Sequence, residues 1–206
     1  MSEYDSEPVR GLPGRLPPGE HIIWQGAPDW RMFARSVYRV RIVAAYFAVL
    51  AAAGLAGGSV VGALVTLVVG ALGIGLFALL AWASARTTVY TLTNRRVVLR
   101  VGVAIQKCFN LPLPLVAAAD LRPSARGHGD IALTMSGEPR FGYLLLWPHA
   151  RPWRFRSPQP MLRAVPNAEA VAAELMRACA ARVPIQPTIV AEPARQAVPV
   201  PVGVAA

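Results

Sequence analysis

Apolar and polar positions divide this chain into regimes of different period. Residues 42–85 hold no Asp, Glu, Lys, Arg or His. A membrane-crossing helix takes roughly 20 mostly apolar residues, so this run is too long for one span and about right for two. A soluble core helix rarely runs so far without a charge. The break falls at the middle, at Gly54 and then Gly57, Gly58 and Ser59. The pattern predicts a helical hairpin, about 37–56 inward and about 60–83 back.

From Arg86 the period becomes 2. Thr88, Tyr90 and Leu92 alternate with Val89, Thr91 and Thr93, a strand of mostly β-branched residues. Asn94 tolerates turn geometry, and 95–102 reads as the returning strand. A third extended run covers 107–115, where Pro112 and Pro114 mark an edge or an exit. Residues 130–135 place Ile131, Leu133 and Met135 on one face. The aromatic positions of 141–147 predict a further strand, whereas Pro152, Pro158 and Pro160 keep 151–161 irregular. Asn167 is an expected N-cap for a helix to about Arg182, with an apolar stripe of Val171, Leu175, Ala178 and Cys179. Ahead of the hairpin, Ile22, Ile23 and Trp24 suit a short strand and Gly26 and Pro28 a turn.

The fold class is therefore α+β. A two-helix transmembrane hairpin precedes an antiparallel sheet of five or more strands, or a partly open barrel, closed by one C-terminal helix. The expected organisation is a flexible lead (1–18), a Trp-containing segment (19–36), the hairpin (37–84), the sheet domain (86–182) and a disordered Pro/Ala/Val tail (183–206).

Charge sharpens the topology. Of the net +10, most lies in 86–163, which has eleven Arg, Lys107 and three acids. Arg31, Arg35, Arg39 and Arg41 approach the first span, the first three on one expected helix face. Arg86, Arg95, Arg96 and Arg100 follow the second, and the hairpin tip is uncharged. The positive-inside rule then places both termini in the cytoplasm of a bacterial inner membrane. The N-terminus has no basic region followed by an apolar run, so no cleaved signal peptide is expected. Cys108 and Cys179 match no metal or redox spacing and are expected as reduced thiols. No imidazole or ionisable group lies within 42–85, which argues against a pigment or ion site there.

Candidate contact residues fall in three groups. Arg95, Arg96 and Arg100 can hold anionic lipid or simply set topology. The run Arg151, Pro152, Trp153, Arg154, Phe155, Arg156 interleaves cations with aromatics, either as a partner or membrane contact or with Trp153 and Phe155 folded back on the sheet. Trp24 and Trp30 are candidate interfacial anchors or plain packing. Catalysis is not expected. His21, His128 and His149 are the only histidines, and the last two read as solvated loop residues. Asp120 and Asp130 read as ion-pair partners or turn formers. No catalytic motif, cofactor or metal site is indicated. The aromatics of 141–147 read as sheet core rather than a nucleic-acid platform.

The stretch Tyr90-Thr91-Leu92-Thr93-Asn94-Arg95-Arg96-Val97-Val98, followed by Gly102, resembles the opening hairpin of the bacterial pleckstrin-homology-like domain. An upstream Gly19-Glu20 near Trp24 is similar to that family as well. A narrower resemblance runs through Leu16-Pro17-Pro18-Gly19-Glu20, Trp24-Gln25-Gly26-Ala27-Pro28-Asp29-Trp30, Gly129-Asp130-Ile131-Ala132-Leu133 and Leu146-Trp147-Pro148-His149-Ala150-Arg151-Pro152-Trp153. It is to the photosynthetic complex assembly protein family, PuhB, of purple phototrophic bacteria. The resemblance implies a curved sheet capped by a helix and a non-enzymatic role in reaction-centre assembly with an effect on the core light-harvesting complex. Partners would be reaction-centre and light-harvesting subunits, with a homodimer left open. A membrane-anchored lipid- or protein-binding module unrelated to photosynthesis is the alternative.

Overall fold

Among the described residues, a strand from ahead of the apolar helices and six strands from behind them build the sheets of the molecule. The computed structural model describes residues 11–12, 14–103, 105–137 and 142–181. The expected tail, and residues 1–10 and 13 of the expected 1–18 lead, lie outside the described residues.

Strands β1 (Ile22–Gly26), β2 (Val89–Thr93), β3 (Arg96–Val101) and β4 (Lys107–Pro112) form one antiparallel sheet in that order. Trp24 pairs with Leu92 and Gly26 with Tyr90, so the segment expected as separate is the edge strand of the domain. A second antiparallel sheet holds β5 (Val116–Pro123), β6 (Gly129–Met135) and β7 (Met161–Val165). The core between the sheets includes Tyr90, Leu99, Leu111, Ile131 and Leu133. It is closed by the C-terminal helix, Ala168–Ala180, through Val171, Leu175 and Ala178, with Cys179 packed beside them. The predicted stripe is thus the observed one, although Asn167 adopts a left-handed conformation and makes no side-chain cap bond.

Three helices separate β1 from β2. Helix α1 (Trp30–Ser36) starts on Asp29, whose carboxylate accepts from the amides of Arg31 and Met32 at 2.8 and 2.9 Å. It buries Phe33 completely and packs Met32 and Ala34 with Ala81 and Ala164. Helices α2 (Val40–Ala56) and α3 (Val60–Thr87) then run antiparallel about the turn at Gly57 and Gly58. Ser59 caps α3 by accepting from the Gly62 amide at 3.2 Å. Gly54 lies against Ala63. At Gly70 a Cβ would come within 2.7 Å of the Phe47 ring, so the close approach there requires glycine. Gly73 and Gly75, part of the same small-residue pattern, face open space.

Helix α3 is long and apolar enough to cross a membrane, and only 11% of its most apolar stretch is buried, which is unlike a soluble core helix. Helix α2 is shorter. It meets the same test only together with α1, to which it is joined by a 57° bend. The helix expected from about residue 37 therefore starts at Val40, after a bend that occupies 37–39. Phe33 anchors α1 in the domain, and Arg39 takes a left-handed conformation (φ 49°) before α2 sets off. Arg31, Arg35 and Arg39 consequently do not share one helix face.

Two further expectations change. Residues 141–147 are not a strand: Tyr143–Leu146 form a one-turn helix, α4, and Phe141 lies outside the described residues. Tyr143 and Leu146, three apart, turn toward the core while Leu144 is 88% exposed, a helical rather than a strand period. The long helix at the C-terminus is accordingly α5. Between α4 and α5 runs β7, whose fully buried Met-Leu-Arg-Ala-Val shows no alternation.

Candidate functional site

The sequence-predicted arginines separate once folded. Arg96 forms a two-pronged ion pair with Glu20 (2.9 and 3.2 Å), and Glu20 also accepts from Thr93. Burial alone would raise the Glu20 pKa, but the Arg96 and Thr93 hydrogen bonds hold it below the ordinary carboxylate value. Arg95 is exposed and donates to the Pro18 carbonyl at 3.2 Å. Both flank the β2–β3 turn. At ~3.3 Å per residue, the five residues of β2 set that turn roughly 15 Å along the strand from the end of α3. Arg100 is at the near end, opposite Val89, but is buried, with its Nε donating to Gln106 at 2.6 Å. These three arginines are thus structural parts of the sheet and do not form a common lipid-binding face.

Trp24 packs against the core as part of β1, the packing alternative. Trp30 remains 39% exposed, with the Arg31 guanidinium 5.4 Å from its ring. A tryptophan better placed for an interface is Trp82 on α3, 43% exposed beneath the Arg86 guanidinium at 5.1 Å.

The residues that do converge lie where the α1–α2 break meets the segment after β6. Tyr38, in the break, stacks on Phe77 of α3 at 5.8 Å between ring centroids and meets the Trp147 ring edge-on at 6.3 Å. Beyond the cis Trp147–Pro148 bond, His149 turns into the protein and is 1% exposed. Its Nδ1 lies 2.8 Å from the Tyr90 hydroxyl and its Nε2 3.3 Å from the Thr88 hydroxyl. The Tyr90 oxygen in turn accepts from the Arg163 amide at 3.1 Å. Burial, aided by the Arg163 charge, pushes His149 down to about 3 and keeps it neutral, while burial raises Tyr90. The expectation of a solvated loop histidine is overturned here. His128 does stay in a surface turn, 3.8 Å from Asp29.

Arg163 on β7 is 6% exposed. Its Nη2 donates to the Ala150 carbonyl at 2.7 Å and its Nη1 stands 3.9 Å from Asp130. Its Nε has no hydrogen-bond partner. Asp130 also accepts from the Ala164 amide, and Asp120 pairs with Arg151 at 2.6 Å, so both acids are ion-pair partners as expected. Arg151, held by Asp120 and by Gln159 at 3.1 Å, anchors the loop. Beyond it Trp153 (83% exposed) and Phe155 (60%) project outward, and Arg154 and Arg156 are exposed. The fold-back alternative does not hold for Trp153, whereas Phe155 rests 4.6 Å from the Tyr143 ring.

Around these groups lies an open cavity of about 370 Å³, lined by Arg39, Tyr143, Trp147, Trp153, Phe155 and Arg163 among others. Among the described residues no group of three or more His, Cys, Asp or Glu could hold a metal.

Residues 40–178 match the family model of the bacterial PH domain. The chain belongs to the bacterial PH domain family. The match takes in α2, α3, six strands and most of α5; β1 lies before it, although it is hydrogen-bonded into the PH-like sheet. A relative from Rhodobacter capsulatus, named as an uncharacterized 23.7 kDa protein in the puhA 5′ region, is 40% identical over 201 residues. The alignment covers 93% of this chain and 94% of that one. A crystal structure of a DUF1696 family protein with a pleckstrin-homology domain, from Shewanella loihica, covers 45% of this chain and 70% of its own at 11% identity and a TM-score of 0.30.

Proposed function

We propose that this PH-domain protein is a membrane-bound, non-enzymatic assembly factor for the photosynthetic reaction centre, with an effect on the core light-harvesting complex. The observation that carries the reading is the end-to-end relation to the puhA-region protein, at 40% identity with nothing large missing from either chain. The puhA region is a photosynthesis-linked context, and the stretches that resemble the photosynthetic assembly family run through both the helices' flanks and the sheet. On this reading α2 and α3 lie in the inner membrane as a hairpin. Arg39, Arg41 and Arg86 flank its open end and the tip at 57–59 is uncharged, which favours a cytoplasmic PH domain. The partners would be reaction-centre and light-harvesting subunits.

The test is deletion of the gene in its phototrophic host. Assembled reaction centre is expected to fall while bacteriochlorophyll synthesis continues, and a plasmid copy restores it. Unchanged reaction-centre levels would refute the role. That outcome would favour a second reading, a general membrane-anchored PH module, which rests on the family match alone.

A further inference from the structure

We propose that the cavity between the α1–α2 break, α4 and the 147–155 loop is a seat for one anionic phospholipid of the membrane that α3 crosses. Its phosphate would lie toward Arg39 and Arg163, and the surrounding apolar side chains would dip into the bilayer surface. The proposal rests on the membrane reading of α3 and is independent of the photosynthetic one.

Height is the first argument. At ~1.5 Å per residue, Phe77 stands roughly 26 Å along α3 from Val60, close to the ~30 Å thickness of a hydrocarbon core. The contacts of Gly54 with Ala63 and of Phe47 with Gly70 define the antiparallel register of α2 and α3. Continued upward, that register sets Val40 level with Phe77. Tyr38 stacks on Phe77 and touches Trp147, so the cavity mouth sits where hydrocarbon gives way to headgroups. Above that level α1 covers one face of α3, through Ala81, while Leu79, Leu80 and Trp82 remain exposed on the rest of it.

The second argument is the chemistry of the wall. Trp147, Trp153 and Phe155 are between 54% and 83% exposed around one opening, and Leu144 and Leu145 of α4, next to Tyr143 in sequence, are exposed as well, a patch that a fully solvated domain would bury. Tryptophan favours the headgroup level because its ring is apolar and its N–H stays wet. Within the rim, Arg39 and Arg163 supply two guanidinium groups, and no carboxylate is among the lining residues. Asp130 offsets Arg163 only from 3.9 Å, and the buried Nε has no partner. A cavity of about 370 Å³ admits a phosphodiester headgroup with its acyl chains left outside in the bilayer. Guanidinium groups match phosphate oxygens geometrically. The apolar rim distinguishes this seat from one for free phosphate, and its height distinguishes it from a soluble protein partner.

The full chain, purified in mild detergent, would be titrated with phosphatidylglycerol, phosphatidylcholine or inorganic phosphate and read by native mass spectrometry. Phosphatidylglycerol is expected to add as one retained lipid, with phosphatidylcholine bound about tenfold more weakly. Arg39→Gln, at an exposed position, should weaken the phosphatidylglycerol adduct about fivefold, whereas Arg95→Gln at the far end of the sheet should leave it unchanged. Because Arg163→Gln can disturb the fold, the rim gives the second readout. Brominated acyl chains in vesicles should quench tryptophan emission less in a Trp147→Phe/Trp153→Phe variant than in the parent. Equal binding of the two lipids, equal effects of the two arginine variants, competition by inorganic phosphate, or no change in quenching would each overturn the proposal. Release of the parent chain by alkaline carbonate would instead refute the membrane reading beneath it, and leave the assembly role to the deletion test.

Discussion

His149 connects a loop that the sequence marks as irregular to the first strand after the helices. Its two partners, Thr88 and Tyr90, lie 61 and 59 residues away in sequence, so no local pattern discloses them. A histidine amid prolines gives the appearance of solvent exposure, whereas the ring is buried against Phe33 of α1 and Tyr90 of β2. The burial has a measurable consequence. The folded protein keeps His149 neutral down to about 3, whereas the unfolded chain takes up its proton near the ordinary 6.5. Stability contributed by the neutral ring is thus complete above about pH 6.5 and is lost progressively as pH falls from there toward 3, by at most about 1.4 kcal/mol per pH unit. Glu20, held below 4.5, loses its contribution only as pH falls below about that value, so the upper part of the His149 window lies clear of it. Thermal unfolding of the detergent-solubilised chain between about pH 7 and pH 5 should show a falling midpoint. His149→Gln should flatten that slope; an undiminished slope would show that another group governs it.

Among the elements, those with a clear period were legible. Alternation in β6 and the 3.6-residue stripe of α5 follow from one face being buried, whereas β2 and β3, buried on both faces, were legible from their β-branched residues about the Asn94 turn; the structure places all four within a residue or two of expectation. Elements without either signal were not. β5 is mostly exposed and rich in alanine, and β7 is buried throughout, so neither shows a period of 2. Aromatics at 143 and 147 suggested a strand because composition was read where spacing decides. The basic candidates divided for a related reason. Residue type told that Arg95, Arg96 and Arg100 are charged, but only the fold shows Arg96 held by Glu20 and Arg100 buried against Gln106, at opposite ends of β3. The exposed Trp153 and Phe155 were identifiable from sequence; Arg39, Trp147 and Arg163 beside them were not, being brought together by the helix break and β7. In the helical pair, Gly70 is the sharpest determinant. Gly70→Leu should separate α2 from α3 at a cost of about 1–3 kcal/mol, because a side chain there meets Phe47. Gly73→Leu, facing open space, should not. Disulfide crosslinking of a Gly54→Cys/Ala63→Cys pair, with Cys108 and Cys179 replaced by Ser, reads the difference. Equal crosslinking in both backgrounds would contradict the packing described.

At the scale of the whole molecule, the strand ahead of the helices and the strand behind them are neighbours in one sheet. Thr93 bonds to Glu20 across 73 residues, and the intervening chain is the helical pair. Removing residues 11–26 should leave the helices in place but expose β2 as an unpaired edge and strip Arg96 of its carboxylate. Limited proteolysis is expected to cut such a chain within the domain under conditions that spare the full protein; equal resistance would mean that β1 is dispensable. The same pairing bears on how the chain is made. β1 leaves the ribosome long before its partner and has nothing to pair with until both helices have been synthesised. On the two-span reading, a chain whose second helix fails to insert leaves β1 and β2 on opposite sides of the bilayer. The sheet then cannot close, and an error of insertion becomes a bare strand edge that quality-control proteases can reach. On that reading, closure of the sheet would depend on both helices having inserted.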